Sequence, residues 1–313
     1  MNKIKSVVFY PEIKGVLNFT DSKFREFYQE YPEIDWVYAD TKVAFYQEIK
    51  DADYIFSLGF EKDVYIHANK LKAVFSCMAG KESIPRSENK IIRYYNGSFH
   101  GHLMIQSLIG VMLYFNQQIS TMTKNKSQKE WSGHDQFGKR KMLNRQSIAI
   151  IGYGSIGRIF AKTLSLFGMK IYAVQRSISS GYCEVSGAEY VSIKKLNTII
   201  SDVDHVVSVL PKTPDTDRIF NAGFFASMNR GACFYNFGRG NSVVEKDLIE
   251  SLESKNIVSA ALDVFHDEPL SRNSKLWETD NLLIMPHISA FYENYIDMHL
   301  EELHTQFRTE LLK

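Results

Sequence analysis

The chain has 313 residues, of which 44% are hydrophobic and 23% charged, and its 37 basic residues nearly balance its 36 acidic ones. Because single domains cluster near roughly 100 to 150 residues, this length predicts two domains. The charge balance excludes a whole-molecule field that would attract nucleic acid or an anionic membrane. We therefore expect neither of these as a partner, and a small molecule instead.

The cysteines and the apolar segments bear on the compartment. Cys77, Cys183 and Cys233 are odd in number, widely separated and without a CxxC pair, which argues against disulfides and against a zinc site. We predict buried thiols in a reducing cytoplasm, and no metal. The apolar run at residues 7–10 is too short for a signal-peptide core. Residues 103–115 fall short of the roughly 20 that cross a bilayer and are interpreted as a core helix.

The first hundred residues alternate short β-rich runs with polar helical segments. Examples are SVVFY at 6–10, FREFYQEY at 24–31 and DYIFSLG at 53–59. A second series starts with QSIAIIGYG at 146–154, and residues 293–313 have the pattern of an amphipathic helix. Such alternation is typical of a parallel sheet covered by helices. We therefore predict an α/β fold in two units of unequal size.

A glycine-rich turn follows the first strand of the second series. The stretch IAIIGYGSIG places Gly152, Gly154 and Gly157 in GxGxxG spacing, after an apolar strand and before a helical segment. Gly152 allows the tight turn, Gly154 lets the backbone approach a pyrophosphate, and Gly157 lets helix and strand pack closely. Three glycines alone are also compatible with an ordinary tight turn. The strand before them and the helix after them favour dinucleotide binding.

The next strand ends in an unexpected way for an NAD site. About 20 residues beyond the glycine loop an acidic side chain normally binds the adenosine ribose of NAD, but IYAVQRSIS has Gln175, Arg176 and Ser177 there. Arg176 suits a 2′-phosphate, Ser177 offers a hydroxyl beside it, and Lys212 adds a second positive charge. We predict NADP(H) as the preferred cofactor and NAD(H) as the alternative, in which Arg176 is an ordinary surface arginine.

Polar residues follow three later strands. Arg239 lies in NFGRGNSVVEKDL, Asp263 and Glu268 lie in ALDVFHDEPL, and His287 lies in MPHIS. Because ligands collect beyond the carboxyl ends of parallel strands, these side chains are expected to converge. An arginine can hold a carboxylate, a histidine can protonate a carbonyl oxygen, and a carboxylate on the other imidazole nitrogen stabilises the protonated ring. This set suits hydride transfer to a 2-keto acid.

Each of these residues also has an ordinary interpretation. Arg239 could be an exposed loop arginine, Glu268 a solvated turn residue, and His287 the end of a strand. Together and in this order, those interpretations become improbable. A YxxxK pattern at Tyr190 and Lys194 matches a catalytic pair of short-chain dehydrogenases, but it follows the glycine loop too closely, so we interpret Tyr190 as packing and Lys194 as solvent-facing.

Five ordered motifs between residues 143 and 290 share a family pattern. They are the glycine loop, LPKTPDT at 210–216, NFGRGNSVVEKDL at 236–248, DVFHDEPL at 263–270 and PHIS at 286–289. In these motifs the chain resembles the D-isomer-specific 2-hydroxyacid dehydrogenases, and most of all their glyoxylate and hydroxypyruvate reductase branch. The N-terminal part resembles the family more loosely, through LKAVFSCMAGKESI at 71–84 and Trp131.

The resemblance implies the organisation of the chain. It implies two Rossmann-like domains with parallel sheets and a cleft between them, one flavodoxin-like and one dinucleotide-binding. Residues 1–98, completed by a C-terminal helix at 290–313, are then the substrate-binding domain, and residues 99–289 the dinucleotide-binding domain. A homodimer formed through residues 99–141 is implied in the same way, although the apolar helix in that segment could equally be internal core.

The resemblance also assigns site residues. It implies Arg239, Glu268 and His287 as the catalytic set, and Met78, Ala79 and Gly80 together with Arg239 as the substrate-binding set. For the cofactor it adds residues of three segments to the glycines and to Arg176 and Ser177. These are Ser155 and Ile156 at the pyrophosphate, Leu210, Pro211, Lys212 and Thr216 at the adenosine half, and Phe237, Gly238 and Asp263 at the nicotinamide end.

The implied activity is NADPH-dependent reduction of a small 2-keto acid, such as glyoxylate or hydroxypyruvate, to a D-2-hydroxy acid. One alternative is a dinucleotide-sensing protein that recruits a partner, like the corepressors on this fold. Another is an NAD-dependent dehydrogenase of a different small acid, such as formate or phosphite. The loop around Gly80 and Gln106 in the long helix depart from the family pattern, which leaves the identity of the keto acid open.

Overall fold

The computed structural model describes residues 3–10, 19–176, 181–183 and 187–313. The chain divides into two compact units, one comprising Met1–His100 with Phe291–Lys313 and the other Gly101–Ala290. It therefore passes from the first unit to the second at residue 101 and returns at residue 291. Within the described ranges, no helix combines the length and the apolar character that crossing a bilayer requires.

The first unit contains a parallel sheet. Among its described residues the strands are β1 (Ile4–Phe9), β2 (Ile34–Tyr38), β3 (Tyr54–Ser57), β4 (Ala73–Ser76) and β5 (Arg93–Asn96). Their order is β2-β1-β3-β4-β5, and every neighbouring pair is parallel. This is the flavodoxin-like order, so the fold predicted for this unit is confirmed.

The second unit contains a larger sheet. Its described strands are β6 (Ser147–Ile151), β7 (Lys170–Gln175), β8 (Gly181–Cys183), β9 (Ala188–Ser192), β10 (His205–Ser208), β11 (Cys233–Asn236), β12 (Ser259–Leu262) and β13 (Leu282–Ile284). Their order is β13-β12-β11-β10-β6-β7-β9-β8. The first seven are parallel, as in a dinucleotide-binding fold, which confirms the predicted class. The edge strand β8 runs antiparallel to β9 and adds a strand to the predicted parallel sheet.

Helices connect and cover these strands. In chain order they are α1 (Asp21–Gln29), α2 (Lys42–Glu48), α3 (Val64–His67), α4 (His100–Asn116), α5 (Ile119–Gln128), α6 (Ser155–Leu166), α7 (Ala222–Ser227), α8 (Glu245–Glu253) and α9 (Tyr295–Leu311). The apolar helix expected at 103–115 is the main part of α4. Its residues Leu108 and Met112 are fully buried in the core of the second unit, which agrees with its interpretation as a core helix.

The strand β6 is buried on both faces of the sheet in the second unit. Ile148 and Ile150 pack into the hydrophobic core on one side of the sheet, and Ala149 and Ile151 pack into the core on the other. Because neighbouring residues of a strand point to opposite faces, a strand buried on both faces is apolar throughout. On one face, α6 adds the fully buried Phe160. The glycine loop between β6 and α6 is therefore anchored at both ends by buried side chains.

The C-terminal helix α9 is part of the core of the first unit. Phe307 is fully buried, with its ring 5.3 Å from that of Phe56 and 5.5 Å from that of Phe75. One turn on, the buried carboxylate of Glu310 accepts hydrogen bonds from the guanidinium of Arg93 on β5, one of them at 2.6 Å. Burial alone would raise the pKa of Glu310, but hydrogen bonds led by Arg93 hold it below its usual value.

Candidate active site

The glycine loop has the geometry that a pyrophosphate needs. Gly152 has φ of 105°, which L side chains rarely adopt. A Cβ on Gly157 would lie 2.2 Å from the carbonyl oxygen of Gly152, so only glycine permits this approach of α6 to the loop. A Cβ on Gly154 would meet no heavy atom within 4 Å, so the space in front of it is open. Ser155 and Ile156 begin α6, whose N-terminal amides favour an anion there.

The end of β7 lies beside this loop. The Gln175 side-chain amide donates to the carbonyl oxygen of Tyr153, at 3.4 Å. Arg176 follows, and its Nη1 donates to Oδ2 of Asp215 at 2.6 Å, with both side chains largely exposed. Lys212 is exposed in the same loop as Asp215. Ser177, predicted to lie beside a 2′-phosphate, is outside the described residues.

The loop after β10 is held by its own hydrogen bonds. Residues Pro214–Thr216 form a 3₁₀ turn. The hydroxyl of Thr216 donates to the carbonyl oxygen of Pro211 at 2.7 Å and accepts from the backbone N–H of Thr213 at 2.9 Å. Leu210, the first residue of the loop, is packed against the hydrophobic core. The predicted adenosine segment is therefore a defined turn at the carboxyl end of β10.

The loop that carries Arg239 is shaped by a buried asparagine. Asn236, at the end of β11, accepts from the N–H of Gly238 at 3.2 Å and donates to the carbonyl oxygen of Arg239 at 3.1 Å. The guanidinium of Arg239 donates to the carbonyl oxygen of Gly238 at 2.8 Å. The ring of Phe237 is buried in the core. Sequence reasoning missed Asn236, although an asparagine that ends an apolar strand is a usable signal.

Close backbone contacts join this loop to its neighbours. A Cβ on Gly238 would lie 2.5 Å from the carbonyl oxygen of Leu210, and a Cβ on Gly240 would lie 1.8 Å from that of Phe265. Glycine is thus required at both positions. The Arg239 loop therefore abuts both the loop after β10 and the segment that carries Glu268.

His287 and Glu268 meet directly. Nδ1 of His287 lies 2.7 Å from Oε2 of Glu268, and both side chains are partly exposed. The other oxygen of Glu268 accepts from the N–H of Phe265 at 3.0 Å, which fixes the carboxylate. His287 has φ of 55°, a left-handed conformation. Because Nδ1 faces the carboxylate, Nε2 is the ring nitrogen that remains for a reacting group.

Asp263 supports the segment that follows His287. Its buried carboxylate accepts from the N–H of Ile288 at 2.8 Å, from the N–H of Ser289 and from the Ser289 hydroxyl. Burial raises the pKa of Asp263, while the hydrogen bonds from Ser289 and Ile288 act in the opposite direction. The carboxylate that the resemblance assigns to the nicotinamide end is thus engaged by the His287 segment.

The predicted substrate residues of the first unit follow β4. Asn96, at the end of β5, donates through its amide to the carbonyl oxygens of Met78 at 3.2 Å and Gly80 at 3.3 Å. In the described part of the chain, no acceptor is found for the N–H groups of Ala79 and Gly80. A loop that an asparagine side chain holds in place, and whose N–H groups have no acceptor among the described residues, can bind a carboxylate. Sequence reasoning missed Asn96.

The YxxxK pattern is not a catalytic pair in this structure. The ring of Tyr190 packs edge-on against that of Tyr153, with centroids 5.4 Å apart, and Lys194 is exposed. Packing and solvent exposure are the roles expected from the sequence.

The arrangement of the second unit defines a class. Arg239, Glu268 and His287 follow β11, β12 and β13, which are adjacent parallel strands, and the glycine loop follows β6 in the same sheet. A glycine loop at the point where strand order reverses, with an imidazole–carboxylate pair and an arginine at the same edge, is the arrangement of a pyridine-nucleotide dehydrogenase.

Comparison with known proteins gives the family. Residues 109–289 match the family described as "D-isomer specific 2-hydroxyacid dehydrogenase, NAD binding domain". The chain belongs to the D-isomer specific 2-hydroxyacid dehydrogenases, a family of NAD(P)-dependent oxidoreductases. The resemblance inferred from the five motifs is therefore confirmed.

Individual relatives agree with this assignment. A probable 2-ketogluconate reductase of Dictyostelium discoideum is 31% identical over 79% of this chain and 75% of its own. Glyoxylate/hydroxypyruvate reductase A of Serratia proteamaculans is 28% identical over 77% of this chain and 78% of its own. The crystal structure of an NADPH-dependent glyoxylate/hydroxypyruvate reductase from Sinorhizobium meliloti, in complex with NADP and sulfate, has a TM-score of 0.79 and 25% identity, covering 98% and 95% of the two chains.

Proposed function

We propose that this protein reduces small 2-keto acids, glyoxylate and hydroxypyruvate among them, to D-2-hydroxy acids with NADPH. The observation that carries the proposal is the contact of 2.7 Å between His287 and Glu268, in the segments that follow β13 and β12, next to the loop after β11 that presents Arg239. The relatives named glyoxylate/hydroxypyruvate reductase support the same substrate class.

The residues of the second unit divide the work of the reaction. The loop of Gly152 and Gly154 would hold the dinucleotide, whose nicotinamide would supply the hydride for the carbonyl carbon. Nε2 of His287 donates a proton to the carbonyl oxygen, and Glu268 stabilises the imidazolium through Nδ1. Arg239 presents its donors to the substrate carboxylate and polarises the neighbouring carbonyl. In the first unit, the N–H groups of Ala79 and Gly80 are our candidates for a further carboxylate contact.

The charges at the carboxyl ends of β7 and β10 favour NADP(H). Gln175 stands where an NAD site has an acid, and Arg176 and Lys212 lie at the same edge of the sheet. The Sinorhizobium relative is described as NADPH-dependent. We therefore propose NADP(H) as the preferred cofactor and NAD(H) as the weaker one.

We propose a cytoplasmic homodimer. Trp131 is 98% exposed and Phe137 is 91% exposed, and both line a surface cavity of 750 Å³ together with Met122. Large aromatic side chains left in water by a single chain are characteristic of an interface. The unpaired, buried thiols of Cys77 and Cys233 agree with a reducing compartment.

A steady-state screen tests the activity. Glyoxylate, hydroxypyruvate, pyruvate and branched 2-keto acids are each offered with NADPH and with NADH, and oxidation of the nicotinamide is followed by absorbance. We expect turnover of at least one small keto acid, faster with NADPH. Tight NADPH binding without reduction of any keto acid would contradict the proposal and favour a dinucleotide-sensing protein.

A further inference from the structure

The ion pair between Arg176 and Asp215 lies at an informative place in the sheet. Arg176 follows β7 and Asp215 lies in the loop after β10, and these two strands flank β6 on either side. The pair, with 2.6 Å between Nη1 and Oδ2, therefore spans the carboxyl end of β6, where the glycine loop begins. This is the crevice at which parallel sheets of this type bind their ligands.

Both sides of the pair are held from behind. The backbone at Asp215 is part of the 3₁₀ turn that Thr216 fixes through its bonds to Pro211 and Thr213. Arg176 directly follows Gln175, whose amide is bonded to the glycine loop. The two side chains thus meet because their backbones are placed to bring them together.

The pair brings together a carboxylate and a guanidinium, the two groups by which proteins distinguish NAD(H) from NADP(H). A ribose 2′-hydroxyl needs an acceptor, which an acid at the end of the second strand normally supplies, and Gln175 lacks the charge for this. Asp215 brings a carboxylate to the same edge from the opposite side of β6. A 2′-phosphate binds well to a guanidinium. Here it competes for the guanidinium of Arg176 with the carboxylate of Asp215, which is already bound to it.

We propose that Asp215 is a specificity-determining residue. Together with Arg176 it distinguishes an adenosine ribose that carries a 2′-phosphate from one that carries a 2′-hydroxyl. A 2′-phosphate takes the Arg176 guanidinium and displaces Asp215. A 2′-hydroxyl donates to Asp215 while the ion pair stays closed. Asp215 thus supplies the acid missing from β7, admits NADH and limits the preference for NADPH. This inference rests on dinucleotide binding at the glycine loop, as in the proposed function.

The substitution Asp215→Asn tests it by binding. The dissociation constants of NADPH and NADH are measured by titration calorimetry on the full chain, and 2′,5′-ADP and 5′-AMP serve as probes without the nicotinamide. Because the pair is exposed, we expect NADPH to bind about 2- to 5-fold more tightly. NADH loses a charged acceptor, so we expect it to bind about 5- to 10-fold more weakly. The preference for NADPH then rises at least tenfold.

Asp217→Asn is the matched control. It removes the same charge two residues along, but Oδ1 of Asp217 accepts from the amide of Asn241 at 3.0 Å and not from Arg176. We expect its ratio of NADH to NADPH dissociation constants to equal that of the unaltered protein. An equal change in both cofactors for Asp215→Asn, no change at all, or the same shift in Asp217→Asn would overturn the inference.

A second experiment, made in the Arg176→Ala variant, separates the effect of the Asp215 carboxylate from that of the Arg176 guanidinium. In Arg176→Ala, the further change Asp215→Asn should no longer improve NADPH binding, because no guanidinium remains to be released, but it should still weaken NADH. Failure of the unaltered chain to bind either dinucleotide would overturn the proposed function and this inference together. Binding of NADPH with no effect of Asp215→Asn would overturn this inference alone.

Discussion

The guanidinium of Arg239 is positioned by groups that belong to other residues. Asn236 and Ser242 both donate to the Arg239 carbonyl oxygen, at 3.1 and 2.8 Å, and the Gly238 carbonyl accepts from the side chain itself. At the scale of single residues, the site therefore depends on loop backbones that are closed by asparagine, serine and glycine.

We expect Arg239→Ala to abolish most turnover and to spare the cofactor. Because the proposed role of Arg239 is to bind the substrate carboxylate and not the adenosine, kcat/KM for keto-acid reduction should fall about 100-fold or more, while the dissociation constant of NADPH stays within about twofold. Steady-state kinetics and calorimetric titration measure the two quantities. Arg239→Lys is the control, since it keeps the charge without the planar fork and should recover only part of the rate. Unchanged turnover in Arg239→Ala would remove this residue from the site.

Glu268→Gln tests the imidazole–carboxylate pair. Oε2 of Glu268 holds the His287 ring through Nδ1 and so directs Nε2 toward a reacting group. We therefore expect Glu268→Gln to lower kcat for keto-acid reduction about 10- to 100-fold, while the dissociation constant of NADPH stays within about twofold. Glu245→Gln is a matched control, because Glu245 accepts from the N–H of His266 and does not touch His287. Unchanged turnover in Glu268→Gln would contradict the pairing.

At the scale of elements, a histidine of one central strand is buried against a tyrosine of the neighbouring strand. His205 on β10 is fully buried, and its Nδ1 lies 3.0 Å from the hydroxyl oxygen of Tyr235 on β11. Burial lowers the pKa of His205 to about 4, because the charged ring would lose its water. The neutral ring is therefore part of the folded state.

This burial makes the folded state sensitive to acid. Since an unfolded histidine has a pKa near 6.5, the unfolded chain binds the extra proton between about pH 6.5 and 4, and stability falls as the pH drops through that window. His205 alone should lower the free energy of unfolding by about 2 kcal/mol between pH 7.5 and pH 5. Urea unfolding at the two pH values measures this loss. His205→Gln, which cannot titrate, should show a smaller loss, and an equal loss would rule out this origin.

Elements and site were not equally predictable from the sequence. The β6–loop–α6 unit was predictable because glycine spacing and an apolar run act locally, as with Gly152 and Gly157. The antiparallel edge strand β8 was not, because its short segment carries no distinctive pattern. The contact between Arg176 and Asp215 also escaped prediction, since it depends on β7 and β10 flanking β6. The pairing of His287 with Glu268 was predictable because both residues follow apolar strands whose carboxyl ends meet at one edge of a parallel sheet, and their catalytic roles stay predictions.

At the scale of the whole molecule, the exposed aromatic residues of the second unit are the basis of the proposed dimer. We expect size-exclusion chromatography with light scattering to give the mass of a dimer. Replacing Trp131 and Phe137 together by Ser should shift the mass toward a monomer, because apolar area that drives association is lost. Trp277→Ser is the control, since Trp277 is also exposed but lies outside residues 99–141, the segment through which the dimer is predicted to form. A monomeric unaltered protein would contradict the proposed dimer.

The placement of α9 bears on how the protein is made. The core of the first unit is built from residues before 101 and from Phe307 and Glu310, whereas the second unit is continuous in sequence. During synthesis, residues 101–290 are all available before any residue of α9 has left the ribosome. The second unit can therefore fold while the chain is still growing. The strands of the first unit are translated earlier, but its core cannot be completed until α9 has been synthesised. Until then, the aromatic side chains that Phe307 covers, such as Phe56, stay exposed to solvent.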